Sequence, residues 1–147
     1  MITEVEAYDG PRDRASHAHR GRTHRNRHMF GAAGVWYVYF TYGMHWLLNV
    51  TTGPVGYPAA VLIRGGVYRD PKTGRERRLN GPARLTKFLS VDGTLDGSPA
   101  TRKSGLWIED RGINIKRSSM IAKPRVGVDY AGLQWSEKPY NLSIRES

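Results

Sequence analysis

Glu4, Glu6 and Tyr8 stand at alternate positions in residues 2–8, so a strand there carries all three on one face and Val5 and Ala7 on the other. A carboxylate on a rigid strand activates a water molecule when that water lies within hydrogen-bond reach of both the acid and the substrate. The alternation alone does not choose between Glu4 and Glu6. Further on, residues 36–46 (WYVYFTYGMHW) hold six of the chain's fifteen aromatic residues. Stacking a base on such a ring is worth roughly 1–3 kcal/mol. Between the carboxylates and the rings, residues 11–28 contain six arginines, four of the five histidines and one acid, Asp13. Rings beside a cationic approach surface suit a partner that is anionic and has flat faces, which points to nucleic acid. His17, His19, His24 and His28 do not make a metal set, because no acid or cysteine completes them and a loop fixes no geometry.

The elements that must position these residues are legible in outline. Asp9-Gly10-Pro11 ends the first strand, and residues 11–28 read as a long cationic loop. Residues 35–41 and 46–52 are rich in β-branched and aromatic side chains with Tyr42-Gly43 between them, which predicts a protruding hairpin over residues 35–50. A turn centred on Met44 makes Tyr39 and Asn49 cross-strand neighbours. Residues 59–64 predict another strand and residues 69–78 a polar basic loop. Gly81-Pro82 opens a short helix through Leu89, with proline in its first turn. Residues 92–102 read as loop, and residues 105–109, 125–128 and 140–144 as short strands. The fold class is α+β: a single mixed domain over residues 1–147, with a curved, mainly antiparallel sheet and a few short helices.

Composition narrows the partners. Lysine and arginine total 23 against 13 acids, a net charge of +10, which favours polyanions before any site is considered. There is no cysteine, which excludes disulfides and cysteine-ligated zinc. No run reaches the roughly 18–20 apolar residues of a membrane span, so a soluble protein without a membrane partner is expected. The nucleic-acid partner suggested by the rings and charges adds the expectation of an intracellular, DNA-associated monomer. With 39% hydrophobic residues and no low-complexity tail, a packed domain is expected rather than a disordered basic arm.

The segments EAYDGPRDRASH, RNRHMF, YVYFTYGMHWLLN and VLIR, in that order and at those distances, resemble the alkyladenine (3-methyladenine) DNA glycosylase family. The likeness is densest over residues 2–64 and returns in GPARLT (residues 81–86) and RVGV (residues 125–128). It implies that Glu6 is the general base and that Arg64 lies next to the catalytic water and the lesion's phosphate. Tyr8, His17 and Tyr39 take the positions of the base-sandwiching pocket, and Asn49 that of a residue discriminating among purines. Tyr42 takes the place of a wedge that enters the minor groove and fills the gap left by the flipped nucleotide. Met44 and His45 flank it, while Arg25, Arg84 and the backbone at Gly127 fall at duplex contacts. Family members carry a helix and strand ahead of the glutamate strand, so the resemblance also implies that this upstream part of the family domain is absent from residues 1–147.

The reaction so implied is hydrolysis of the N-glycosidic bond of alkylated or deaminated purines flipped out of double-stranded DNA, as in base-excision repair, leaving an abasic site without a cofactor. The motifs place no lysine near the water position, so a lyase step is not expected. The competing reading is a non-enzymatic nucleic-acid-binding module that uses the same basic and aromatic surface, with Glu6 incidental.

Overall fold

The alternation of residues 2–8 builds β1 (Ile2–Asp9), which lies inside an antiparallel seven-stranded sheet in the computed structural model, where residues 1–145 are described. β2 (Trp36–Thr41) and β3 (His45–Thr51) form the aromatic hairpin. β4 (Ala59–Arg69) is followed by β5 (Glu76–Asn80), which folds back on its far half. β6 (Met120–Lys123) and β7 (Asn141–Ile144) complete a sheet of order β2-β3-β4-β1-β7-β6. α1 (Pro82–Phe88) and α2 (Leu133–Ser136) are the α-helices, and short 3-10 turns occupy several connections.

Antiparallel partners leave the pleat on the same side, so the register assigns the two faces. Val5 pairs with Ile63, and these two pack with Trp36, Val38, Leu48, Leu79 and Leu85 in the main apolar core, under α1. The other face carries one cross-strand row, Tyr37, Asn49, Leu62, Glu6, Asn141 and Lys123, running from β2 through β3, β4, β1 and β7 to β6. Two irregular segments roof this row. Ala18 of the basic loop and Met29 in the 3-10 turn that ends it pack on Tyr37 and Ala60, and Val128 and Ala131 pack with Ala15 against Tyr8 and Trp135.

The hairpin turn is tighter than the sequence suggested. Tyr42 and Gly43 both have positive φ (51° and 64°), and the Met44 N–H donates to the Thr41 carbonyl at 3.1 Å. Thr41 therefore pairs with His45, Tyr39 with Leu47 and Tyr37 with Asn49, which corrects the expected pairing of Tyr39 with Asn49. Positive φ at both central positions gives the turn a twist that matches the strands. A shift of two residues preserves the face, so Tyr39 and Asn49 remain on one side as diagonal neighbours.

Three other expectations are also corrected. Residues 69–78 are not simply a basic loop: Arg69 pairs with Glu76 and Tyr68 with Arg77, and Leu79 is the side chain that β5 buries. Residues 105–109 form no strand, and the Leu106 carbonyl instead accepts the Trp36 indole N–H at 3.1 Å. Residues 125–128 leave the sheet because Arg125 turns inward to an ion pair and Gly127 adopts φ 72°, so β6 supplies the pairing with β7. Among the described residues no helix is long and apolar enough to cross a membrane.

Candidate active site

Where β1 crosses β4 the ladder slips, because Val5 pairs with Ile63 but Glu4 with Gly65. Arg64 is the extra residue of this bulge, a device that re-aims a side chain. Gly65 permits the close approach, since a Cβ there would lie 3.3 Å from the Glu4 Cβ. Arg64 reaches back over β1, its Nε 3.3 Å from Glu4 Oε1 and 3.4 Å from Glu6 Oε1. From the opposite side the Asn141 amide of β7 donates to both carboxylates, at 2.8 Å to Glu4 Oε1 and 3.0 Å to Glu6 Oε1. The Val126 N–H donates to Glu6 Oε1 at 2.8 Å, and the Tyr8 hydroxyl to Glu6 Oε2 at 3.0 Å.

Glu6 is 0% exposed. A carboxylate oxygen accepts about two hydrogen bonds, so Oε1 is saturated while Oε2, with Tyr8 alone, keeps capacity for one more donor. Glu4 differs. Burial raises its pKa, but the Asn141 hydrogen bond and the charges of Arg64 and Lys123 outweigh burial and hold it below the usual carboxylate range. Glu4 is thereby a fixed anion beside Arg64, and periodicity had left it equivalent to Glu6. Lys123 Nζ lies 3.7 Å from Glu4 Oε1, so the fold brings a lysine to the carboxylates although the motifs hold none there.

Tyr8 opens onto a cavity on the roofed face of the sheet, lined also by His17, Tyr37, Tyr39, Asn49 and Tyr130. Its empty space, mouth included, is about 340 Å³, room for more than a single solvent molecule. Burial, then the neighbouring Glu6 carboxylate, raises the Tyr8 hydroxyl well above the ordinary phenol range and keeps it a donor. Burial likewise pushes Tyr39 up to about 12, with the Arg25 charge opposing.

His17 meets Tyr39 edge-on, with ring centroids 4.6 Å apart, and its Nδ1 lies 2.9 Å from the Tyr37 hydroxyl. One side of the residue is open to solvent, but packing of the imidazole, reinforced by Arg25, pushes its pKa down to about 4. His17 is therefore neutral at physiological pH. Asn49 is buried and donates to the Tyr37 carbonyl at 3.1 Å, which fixes its amide to the hairpin backbone and satisfies a polar group in an apolar strand.

The back of the cavity rests on a buried ion pair. Arg125 holds Asp13 through both carboxylate oxygens with both side chains 0% exposed, and its guanidinium lies 4.8 Å from the Tyr8 ring centroid. Asp13 also accepts the Asp9 and Ala15 N–H groups at 3.1 Å each. One carboxylate thus joins the end of β1, the loop that carries His17 and the segment whose Val126 binds Glu6.

The fold brings Tyr8, His17, Tyr39 and Asn49 to one cavity, and Glu6 with Arg64 lies outside its lining, joined to it through the Tyr8 hydroxyl. Tyr42 (84% exposed) and Met44 (67%) project from the hairpin tip with His45 exposed beside them. Arg25 stacks over Tyr39 at 5.0 Å and donates to the Phe40 carbonyl at 3.2 Å, while Gly127 follows Val126 on the exposed rim. Arg84 sits apart, exposed on α1 beyond the opposite face of the sheet. Sequence reasoning missed Asp13, Tyr37, Lys123, Val126, Tyr130 and Asn141. Asp13 carried a signal as the lone acid among six arginines. The others are recruited through long-range pairing that leaves no local mark.

A family model described as methylpurine-DNA glycosylase (MPG) matches residues 1–147. A Psychrobacter cryohalolentis protein named "Putative 3-methyladenine DNA glycosylase" is 43% identical over 146 residues, covering 89% of this chain and 68% of that protein. Proteins of the same name from Streptomyces avermitilis and Anaeromyxobacter sp. are 50% identical over 114 residues and 41% over 143, covering 71% and 97% of this chain. The chain spans 68%, 54% and 71% of the length of these three relatives. On a match along its whole length, the chain belongs to the methylpurine-DNA glycosylase family of DNA-repair glycosylases.

Proposed function

We propose that this chain excises alkylated purines from duplex DNA by hydrolysis of the N-glycosidic bond. The observation that carries the reading is Glu6, a fully buried carboxylate with one oxygen saturated and the other, Oε2, still able to accept a donor beside an aromatic cavity. A water bound at Oε2 gives up a proton to it as the water oxygen bonds to the anomeric carbon. The C–N bonding pair departs with the base. Arg64, Asn141 and the Val126 N–H hold Oε1, so the carboxylate keeps its orientation through proton transfer.

Tyr8 on one side and Tyr39 with His17 on the other grip the everted base, and Asn49 contacts the purine edge. Two stacking faces at roughly 1–3 kcal/mol each offset the few kcal/mol needed to extrude a damaged base. Tyr42 fills the vacated position from the minor groove, with Met44 and His45 on its flanks. Arg25 and Gly127 engage the duplex outside the cavity, whereas Arg84, on α1 across the sheet, is too far from it to share that contact. A purine made cationic by alkylation leaves as a neutral molecule and needs no acid. The cavity lining supports that class over neutral deaminated purines, because Tyr8, Tyr37 and Tyr39 have raised pKa values and His17 is unprotonated at neutral pH, so none is a ready proton donor.

The test is product. Incubation with methylated duplex DNA is expected to release free 3-methyladenine and leave alkali-labile abasic sites. Lesion-independent DNA binding without such sites would leave only the non-enzymatic module.

A further inference from the structure

Tyr130 is a surface tyrosine that does not behave as one. It is 72% exposed, yet it lines the same cavity as Tyr8 and Tyr39 and its hydroxyl donates to the Ala15 carbonyl at 3.0 Å. A tyrosine open to solvent ordinarily samples its rotamers freely. Here the ring is held at both ends, by that hydrogen bond and by a backbone whose neighbours Val128 and Ala131 are buried against Ala15. The same segment begins at Val126, whose N–H binds Glu6. The residue is therefore fixed to the general base on one side and to the His17 loop on the other. Partial burial raises its hydroxyl pKa, with the Arg125 charge opposing and the Asp13 carboxylate adding to the rise.

We propose that Tyr130 is a further substrate-contacting residue, the outer aromatic wall against which the everted alkylated purine nucleotide packs once it has left the duplex. The proposal rests on the excision reading above and adds a specificity determinant to it. A pre-fixed tyrosine supplies large contact area with little conformational entropy left to lose. Because the ring stands at the mouth and not behind Glu6, it acts on capture of the nucleotide and not on the chemical step. Undamaged duplex that keeps its bases stacked never reaches it.

Single-turnover excision separates these roles. The protein is titrated against duplex carrying one methylated purine, with undamaged duplex of equal sequence as competitor. Tyr130→Ala is expected to raise the half-saturating concentration for lesion duplex on the order of tenfold, the lower-middle part of the range for losing one stacking face. Inhibition by undamaged duplex and the saturated rate should stay within about twofold. Tyr130→Phe keeps the face and loses only the tether, so its half-saturation should rise less than about fivefold. Tyr130→Leu, which still covers the mouth without a π face, should behave as the alanine variant does. Equal weakening toward lesion and undamaged duplex, or a leucine variant that discriminates as the parent does, overturns the proposal. Failure of the parent protein itself to excise overturns the reading beneath it, and the unsubstituted control makes the two failures distinguishable.

Discussion

Removing the Asp13 carboxylate tests whether the buried ion pair is the clasp of the cavity. Asp13→Ala withdraws the acceptor from four donors at once: two guanidinium nitrogens of Arg125 and the N–H groups of Asp9 and Ala15. Arg125 keeps the Ala7 and Trp135 carbonyls at 2.8 and 3.3 Å, which accept hydrogen bonds but cannot neutralise a charge at 0% exposure. Stranding one partner of a buried pair costs about 3–5 kcal/mol. Against the roughly 5–15 kcal/mol that holds a typical domain together, that is a large share. At about 4 °C per kcal/mol for a chain of this size, Tm should fall by on the order of 10–20 °C, read by circular dichroism or calorimetry. Adding Arg125→Met to Asp13→Ala should recover part of the loss by removing the stranded cation, while the two amides remain unpaired. A drop under about 1 kcal/mol in the single variant would refute the reasoning, since surface pairs are worth that little.

Other expectations follow from particular contacts. Tyr8→Phe keeps the stacking face and deletes the donor to Glu6 Oε2, so it should cost about 1 kcal/mol of stability and leave lesion binding within about fivefold of the parent. Tyr8→Ala should weaken lesion binding by about 5- to 150-fold, and a phenylalanine variant as defective as the alanine one would contradict the assigned stacking role. Because the folded state holds His17 at about 4, below its ordinary 6.5, the unfolded chain binds more protons in that window. Its contribution to stability is present above pH 6.5 and is lost as pH falls toward 4. His17→Asn should therefore flatten the change of Tm over that interval, discounted for the solvent-open side of the residue, and an unchanged slope would count against the neutral, packed imidazole. Gly65→Ala should lower the excision rate with little loss of undamaged-DNA binding, because the new Cβ meets the Glu4 Cβ and the Thr3 Oγ1 at 3.3 Å and displaces the bulge that aims Arg64.

What the sequence made legible was local. The alternation of Glu4, Glu6 and Tyr8, the Tyr42-Gly43 turn and the Gly81-Pro82 helix start are each written in a few adjacent residues, and each forms. The hairpin register was off by two residues because composition sets where a turn falls only approximately, whereas the positive φ at Tyr42 and Gly43 fixes it. β5 escaped notice because ERRLN offers one apolar side chain, and its strand character comes from pairing with a neighbour that is already in place. RVGV read as a strand on composition, but the inward pull of Asp13 on Arg125 and the positive φ at Gly127 take it out of the sheet and put the Val126 N–H on Glu6. The partners of Glu6 from residues 126 and 141 are 120 and 135 positions away, a separation at which no local pattern speaks.

The most direct measurement is single-turnover excision by Glu6→Gln beside its affinity for the same methylated duplex. The amide preserves the shape of the side chain but has lost the charge and the proton-accepting Oε2. Release of 3-methyladenine should fall by about 100-fold or more, in the range attributed to a general base, while lesion-duplex affinity stays within about threefold. Release at the parent rate would contradict the role assigned to this carboxylate.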